Sequence, residues 1–361
     1  VNKLCTACIA ITFTFLSACS SQHNSSPSQK LVATKAGWQL TRPLVNLYDY
    51  ELIDVRSGKP VVVDLSFNNG GLLDYDVVFI GENHGHPGNH LAQAAIYHRM
   101  LDSGEKVILS MEQFERDVQP IVDDYLAGKI GEWPLRHFGR AWENYKSSYR
   151  PLVEMAKQHD LPVIAANAPK DIVVCIGREG LSVLDKVPAQ RKNQIASSFY
   201  MPEEGAYFEK FTGLMNKKLK SISSDNDPKR VKPNLNSYHA QVVRDDTMAE
   251  SIDKALAAHP EHKLVHLNGH FHSASGLGTV ERLKLRGNSK TAVIQPVMVS
   301  DANSPSFNDK DIETGDYLLL IYALPEQVKT AKNRKVWMKN VYKRSEHDCS
   351  FGNNHAKSQG A

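Results

Sequence analysis

The chain has 361 residues, with 43 Lys and Arg against 40 Asp and Glu, and 41% of it is hydrophobic. A net charge of +3 is close to balance and does not indicate nucleic acid as a partner, which calls for a basic footprint. Length and composition instead allow one large α/β domain with an insertion, with ample residues for a core.

Val1 to Lys3 forms a short positive n-region, and Leu4 to Leu16 is an apolar stretch too short to span a membrane comfortably. It ends in Leu16-Ser17-Ala18-Cys19, which resembles a bacterial lipobox. That resemblance implies a signal peptide over 1–18, cleavage before Cys19, and acylation of Cys19, palmitate included. A plain secretory signal is the alternative. Residues 19–35 are expected to be a flexible, lipid-anchored tether, Ser/Asn/Pro-rich as far as Gln29. Ser20 rather than Asp after Cys19 points to the outer membrane of a Gram-negative cell, with the leaflet left open. With Cys5, Cys8 and Cys19 accounted for, only Cys175 and Cys349 remain, to pair or to stay free.

From Tyr50 to Phe67 a hairpin is predicted, with Arg56 to Lys59 as its turn and an antiparallel sheet edge as its place. Val77-Val78-Phe79-Ile80 then reads as a buried strand, and Leu91 to Leu101 has apolar residues at helical spacing. Between them, Gly81-Glu82-Asn83-His84-Gly85-His86-Pro87-Gly88-Asn89-His90 puts an acid and three histidines on a strand-to-helix turn, where open α/β sheets bind ligands. Three further strands end in polar residues. Lys106 to Met111 delivers Glu112, Leu161 to Ala166 delivers Asn167, and Lys263 to Leu267 delivers Asn268-Gly269-His270-Phe271-His272.

Residues 171–258 carry no strand signal and read as an all-helical insertion, with Asn236 to Ala258 as one long helix. Roofing the sheet's carboxyl edge and packing on one sheet face are both open placements for it. Ala292 to Val299 and Asp316 to Ile321 supply two more strands. Beyond Pro325 the chain is basic, a solvated face or a contact for anionic lipid or a membrane protein, and 346–361 reads as a loose tail. The expected fold is α/β, a mostly parallel sheet flanked by helices in an α/β domain over 36–170 and 259–345, with the smaller insertion between. Parallel strands align their carboxyl ends, so Glu82, His84, Glu112, Asn167, His270 and His272 are predicted to share one rim.

Gly81-Glu82-Asn83-His84, Met111-Glu112-Gln113-Phe114, Ala166-Asn167-Ala168-Pro169, Arg244 to Ala249 and Asn268-Gly269-His270-Phe271-His272 occur in this order. Together they resemble the ChaN-type iron-regulated lipoproteins, a haem-binding family whose motifs are similar to those of Tiki metalloproteases and, more distantly, erythromycin esterases. The resemblance covers about 45 to 325. It implies haem held at a homodimer interface, two haems face to face, with a tyrosine as axial iron ligand and a histidine and a lysine of the partner subunit on the propionates. An outer-membrane haem receptor is a candidate partner for such a carrier in iron acquisition.

Ferric iron is hard and suits a phenolate ligand. Tyr207 is the first expectation and Tyr200 the second, both beside Phe199, Met201, Phe208 and Phe211, with Tyr145 and Tyr149 as alternatives. Lys210, Lys217 and Lys218 are candidate propionate partners. A competing chemistry is a divalent metal on Glu82, His84, His90, Glu112, His270 and His272, in a metal-dependent hydrolase with a Glu or His as general base. A third is a buried hydrogen-bonded network that only stabilises the rim.

Overall fold

The computed structural model describes residues 31–66, 69–222, 235–287, 289–343 and 348–351. The expected signal peptide, Cys19 and most of the expected tether therefore lie outside the described residues, as do the side chains of Lys217 and Lys218. Strands are β1 (Leu31–Thr34), β2 (Gly37–Leu40), β3 (Tyr50–Asp54), β4 (Val61–Val62), β5 (Val77–Glu82), β6 (Val107–Glu115), β7 (Val163–Asn167), β8 (Lys263–Gly269), β9 (Thr291–Val299), β10 (Ser306–Phe307) and β11 (Tyr317–Tyr322). Helices in the first half are α1 (Pro87–Leu101), α2 (Gln119–Leu126), α3 (Glu132–Phe138), α4 (Tyr145–Ser148) and α5 (Arg150–Gln158). They are followed by α6 (Lys170–Glu179), α7 (Val183–Lys186), α8 (Gly205–Ile222), α9 (Leu235–Ala258), α10 (Thr279–Arg286), α11 (Asp309–Ile312) and α12 (Ala331–Lys343).

The main sheet has eight strands in the order β4-β3-β11-β9-β5-β8-β6-β7. From β11 to β7 every pairing is parallel, and β3 and β4 add the antiparallel edge that the hairpin predicts. The central strands read as near-continuous apolar runs because helices cover both of their faces. Alternation sorts the two sides of β5. Val78 and Ile80 join Ala92, Ile96 and Met100 of α1 and Val153 and Ala156 of α5. Val77 and Phe79 meet Ala249, Ile252 and Ala255 of α9 and Val280 and Leu283 of α10. The chain runs outward from β5 to β6 and β7, returns as β8, and then crosses to β9 on the other flank of β5. That reversal is a switch point, and the carboxyl ends of β5 and β8 flank it.

The insertion occupies both places left open for it. The second half of α9 packs on a sheet face, through the residues just named. Its first half, with α8, builds a separate aromatic core of Tyr207, Phe211, Tyr238 and Val242 against Phe271 and Leu277 beyond β8. The ends of the chain depart from expectation. Leu31 to Thr34, placed in the tether, pair with β2, because two short apolar runs flank the Lys35-Ala36 turn. At the other end Cys349 and Phe351 are buried against Ile172, Val173, Cys175 and Ile176 rather than loose.

Cys175 and Cys349 form a disulfide across 174 residues of sequence, with Cα atoms 5.6 Å apart. A link between such distant positions restricts the unfolded chain strongly. Reduction, or Cys175→Ser, is expected to lower stability by about 2–4 kcal/mol, read as a lower urea midpoint; an unchanged midpoint would show that the link adds nothing.

Candidate functional site

The residues at the end of β5 form one hydrogen-bonded unit. Glu82 is the last residue of the strand and is 1% exposed. Its Oε1 accepts from the Tyr149 hydroxyl at 2.6 Å and from His84 Nδ1 at 2.7 Å, and its Oε2 accepts from Gln93 Nε2 at 2.8 Å. Burial alone would raise its pKa; the His84 hydrogen bond, the neighbouring His90 and His84 imidazoles and the Tyr149 hydroxyl reverse that and hold it below its ordinary value. Burial also opposes a charged His84, but Glu82 and the nearby Glu112 charge lift the imidazole above its ordinary value. Both shifts favour the ionic form of the pair, a buried carboxylate and an imidazole that is half in solvent.

The three histidines of the turn have separate tasks. His84 faces the rim, its ring edge-on to Trp142 at 4.9 Å. His86 is the N-cap of α1, accepting from the Asn89 amide at 3.3 Å, while its Nε2 donates to the Tyr322 carbonyl at 2.7 Å. His90 Nε2 accepts from the Gly85 amide at 3.2 Å, so its Nδ1 carries the proton given to Gln93 Oε1 at 2.9 Å. Gly85, at φ 77°, supplies the left-handed turn that brings this amide round.

A second unit joins the sheet to the insertion. The pairing of β6 with β7 shifts register between Met111 and Glu115, and Glu112 lies in β6 inside that irregularity. Its Oε2 accepts from the Gly269 amide at 2.6 Å, and its Oε1 lies 3.6 Å from His272 Nε2. His272 Nδ1 donates to Asp245 Oδ1 at 2.7 Å, and Asp245, fully buried on α9, also accepts from Thr279 at 2.8 Å and from the Tyr207 hydroxyl. Desolvation opposes charge on both partners, yet Glu112 and Asp245 raise His272 while His272 and Arg282 lower Asp245. Asn167 donates to the Glu112 carbonyl at 3.0 Å and accepts from Arg244 at 3.1 Å.

The two units meet at Gly269. A Cβ there would stand 2.9 Å from Cε1 and Nε2 of His84 and 3.6 Å from Glu112 Oε2. Any other residue there would force the His84 ring to move. His270 lies at the exposed margin, with Gln295 Nε2 3.2 Å from its Nδ1. Desolvation among its neighbours, then the charges of Lys210, His84 and His272, push it down to about 4, so it is neutral at physiological pH. Lys210 donates at 2.9 Å to the carbonyls of Phe271 and of Ala274, and desolvation brings it down to about 8.

The six rim residues predicted from sequence thus come together at the carboxyl edge. Sequence reasoning missed Tyr149, Gln93 and Asp245 as their partners. Gln93 follows His90 by three residues on one helical face, a legible signal; Tyr149 and Asp245 reach the rim only through tertiary packing. Tyr207 and Tyr200 are placed differently. Tyr207 is buried, and burial, the Asp245 charge and the hydrogen bond to it raise its pKa well above the ordinary value, which disfavours a phenolate. Tyr200 is 45% exposed on a backbone pinned by its amide to Asp246 at 2.8 Å and by Arg282 to its carbonyl at 2.9 Å. Tyr145 and Tyr149 are buried in the main core, as packing roles require. Among the described residues no group of three or more His, Cys, Asp or Glu is arranged to hold a metal ion. Of the residues in the divalent-metal alternative, Glu82 is taken up by Tyr149, Gln93 and His84, and Glu112 by the Gly269 amide.

The family described as haem-binding uptake, Tiki superfamily, ChaN matches residues 70–283. No curated protein matches. Among solved structures, ChaN of Campylobacter jejuni, described as binding haem cofacially, superposes at a TM-score of 0.53 with 15% identity, over 76% of this chain and 98% of that one. An erythromycin esterase in its open conformation overlaps at 0.40 with 12% identity, over 70% and 78%. The type III effector HopBA1 overlaps at 0.37 with 13% identity, over 72% and 92%. At such identities the likeness to the Campylobacter protein concerns the fold.

Glu82→Gln keeps the shape of the site and removes the charge. His84 is then left with its desolvation and the Glu112 charge, so its pKa, followed by NMR, is expected to fall; an unchanged value would mean that Glu82 does not set it. Glu82, lowered when folded, adds stability above about 4.5 that is lost as pH falls through its folded value. His84, raised when folded, adds stability below about 6.5 that is lost as pH rises through its folded value, discounted for its exposed half. The loss on substitution, about 1–3 kcal/mol by denaturation, is therefore expected to be largest between these two pH values.

Proposed function

The chain belongs to the ChaN family of haem-binding uptake proteins in the Tiki superfamily, and on that premise we propose that it binds haem where the sheet's carboxyl edge meets the helical insertion. The observation that carries the proposal is the extent of the match, whose span of 70–283 takes in the whole rim and the insertion together. The residues there fit a flat apolar guest with an acidic edge. Phe199, Met201, Phe208 and Phe271 are half-buried side chains of the insertion and of the segment after β8, and offer an aromatic and thioether wall.

Of the insertion tyrosines, Tyr200 is the better iron ligand, because its ring is already presented to solvent on a fixed backbone. Tyr207 would first have to give up Asp245. His270, neutral and exposed, and Lys210, charged below about 8, are the propionate partners nearest the rim. In this reading a pair of chains holds two haems between them, each iron on one tyrosine. A carrier of this kind serves iron acquisition from a lipid anchor at Cys19 in the outer membrane, passing haem to or from a membrane receptor. The Cys175–Cys349 disulfide supports an oxidising compartment.

The test is a haem titration followed at the Soret band, with sedimentation to read dimer formation. Tyr200→Phe is expected to weaken binding at least about tenfold and to change the ferric spectrum, with Tyr207→Phe close to the parent. The reverse ranking would move the ligand to Tyr207, and a parent protein that leaves the haemin spectrum unchanged would end the proposal. If Lys210 holds a propionate, affinity falls as pH rises through about 8, the direction in which its ammonium is lost.

A second reading rests on one observation, an imidazole open to solvent and anchored on a buried carboxylate beside Glu112. That is a general-base arrangement suited to ester or peptide hydrolysis. Hydrolysis of nitrophenyl esters, with and without added zinc, is expected to fall at least about a hundredfold in Glu82→Gln. Parent activity no higher than that of the variant would dismiss it.

A further inference from the structure

The positive charge of this molecule is concentrated beyond β11. From Gln327 to Arg344 the sequence carries Lys329, Lys332, Arg334, Lys335, Lys339, Lys343 and Arg344 and no acid, which leaves 36 Lys and Arg against 40 Asp and Glu for the rest of the chain. Most of this segment is α12. In its first turns Lys332, Asn333, Lys335, Val336 and Trp337 are all exposed, Val336 at 55% and Trp337 at 43%.

Helical periodicity places positions 332, 335, 339 and 343 along one stripe, and positions 337, 338 and 341 on another side. Lysine fills the first set; tryptophan, methionine and valine fill the second. The chain on either side of the helix is held, by β11 before it and by the Cys175–Cys349 link after it. An amphipathic, cationic helix with an exposed tryptophan matches the composition of helices that lie in a membrane interface. Protein interfaces, by contrast, are depleted in lysine.

We propose that α12 docks the protein onto an anionic phospholipid surface, lysines toward the headgroup phosphates and Trp337 at the headgroup level. The inference does not rest on the haem reading. Each basic residue near such a surface adds to binding, and the effect decays with salt.

The test is co-sedimentation of the full chain with phosphatidylcholine vesicles and with vesicles containing one third phosphatidylglycerol. The apolar N-terminal stretch and any lipid on Cys19 act alike in every variant, so the contrast reads α12. Binding to the anionic vesicles is expected to be at least about a hundredfold tighter at low salt and to converge on the neutral value at high salt. The double substitution Lys332→Gln and Lys335→Gln is expected to weaken it about thirtyfold, leaving neutral vesicles unaffected. On vesicle addition the tryptophan emission should shift to the blue, and Trp337→Phe should remove that shift. Equal binding to the two vesicle types, the result expected if α12 meets a protein instead, would overturn the proposal. So would an anionic preference that the double substitution leaves undiminished.

Discussion

A carboxylate held ionised with almost no contact to water is the constraint around which this molecule is built. Removing such a charge from solvent costs several kcal/mol unless every lone pair is met. Glu82 meets the requirement with a phenol, an amide and an imidazole drawn from three places in the chain: Tyr149 before α5, Gln93 on α1, and His84 two residues on. Each partner fixes an element. Tyr149 holds the start of α5 under the rim, Gln93 fixes the rotation of α1, and His84 directs the exit of β5. Replacing any one would leave a buried charge with an unmet lone pair, which costs more than the hydrogen bond is worth.

The second unit does for the insertion what the first does for the sheet. Glu112 belongs to β6, His272 follows β8 and Asp245 belongs to α9, so an acid–imidazole–acid chain runs from the domain into the helices that cover it. The α9 helix works in two registers along its length, polar and aromatic near Tyr238 and apolar from Ala249 onward. One continuous helix thereby ties the rim to a sheet face. A guest that displaced the insertion would have to disturb a buried ion pair as well as an apolar contact.

The sheet and its rim were legible because parallel strands buried on both faces leave an unmistakable apolar run, and because such strands present their carboxyl ends together. Strand ends alone located Glu82, Glu112, Asn167 and His272. Which histidine did what was not legible. His86 and His90 sit in the same polar stretch as His84, yet one caps a helix and the other relays a hydrogen bond, and only the path of the backbone at Gly85 decides between them. Tyr207 is ambiguous for a related reason: aromatic neighbours in sequence mark a hydrophobic core as readily as a binding wall, and its partner Asp245 lies 38 residues away. Leu31 to Thr34 and the segment around Cys349 were hidden because their partners are short or distant.

The sulfur link between α6 and the end of the chain has a consequence for how the protein withstands proteolysis. Every peptide bond between Cys175 and Cys349 lies inside the covalent ring it closes. One cut there, even in the stretch joining α8 to α9, opens the ring without making a second molecule. The severed halves stay attached until a reductant arrives, and α9 keeps its seat on the sheet although the main chain no longer runs unbroken to it.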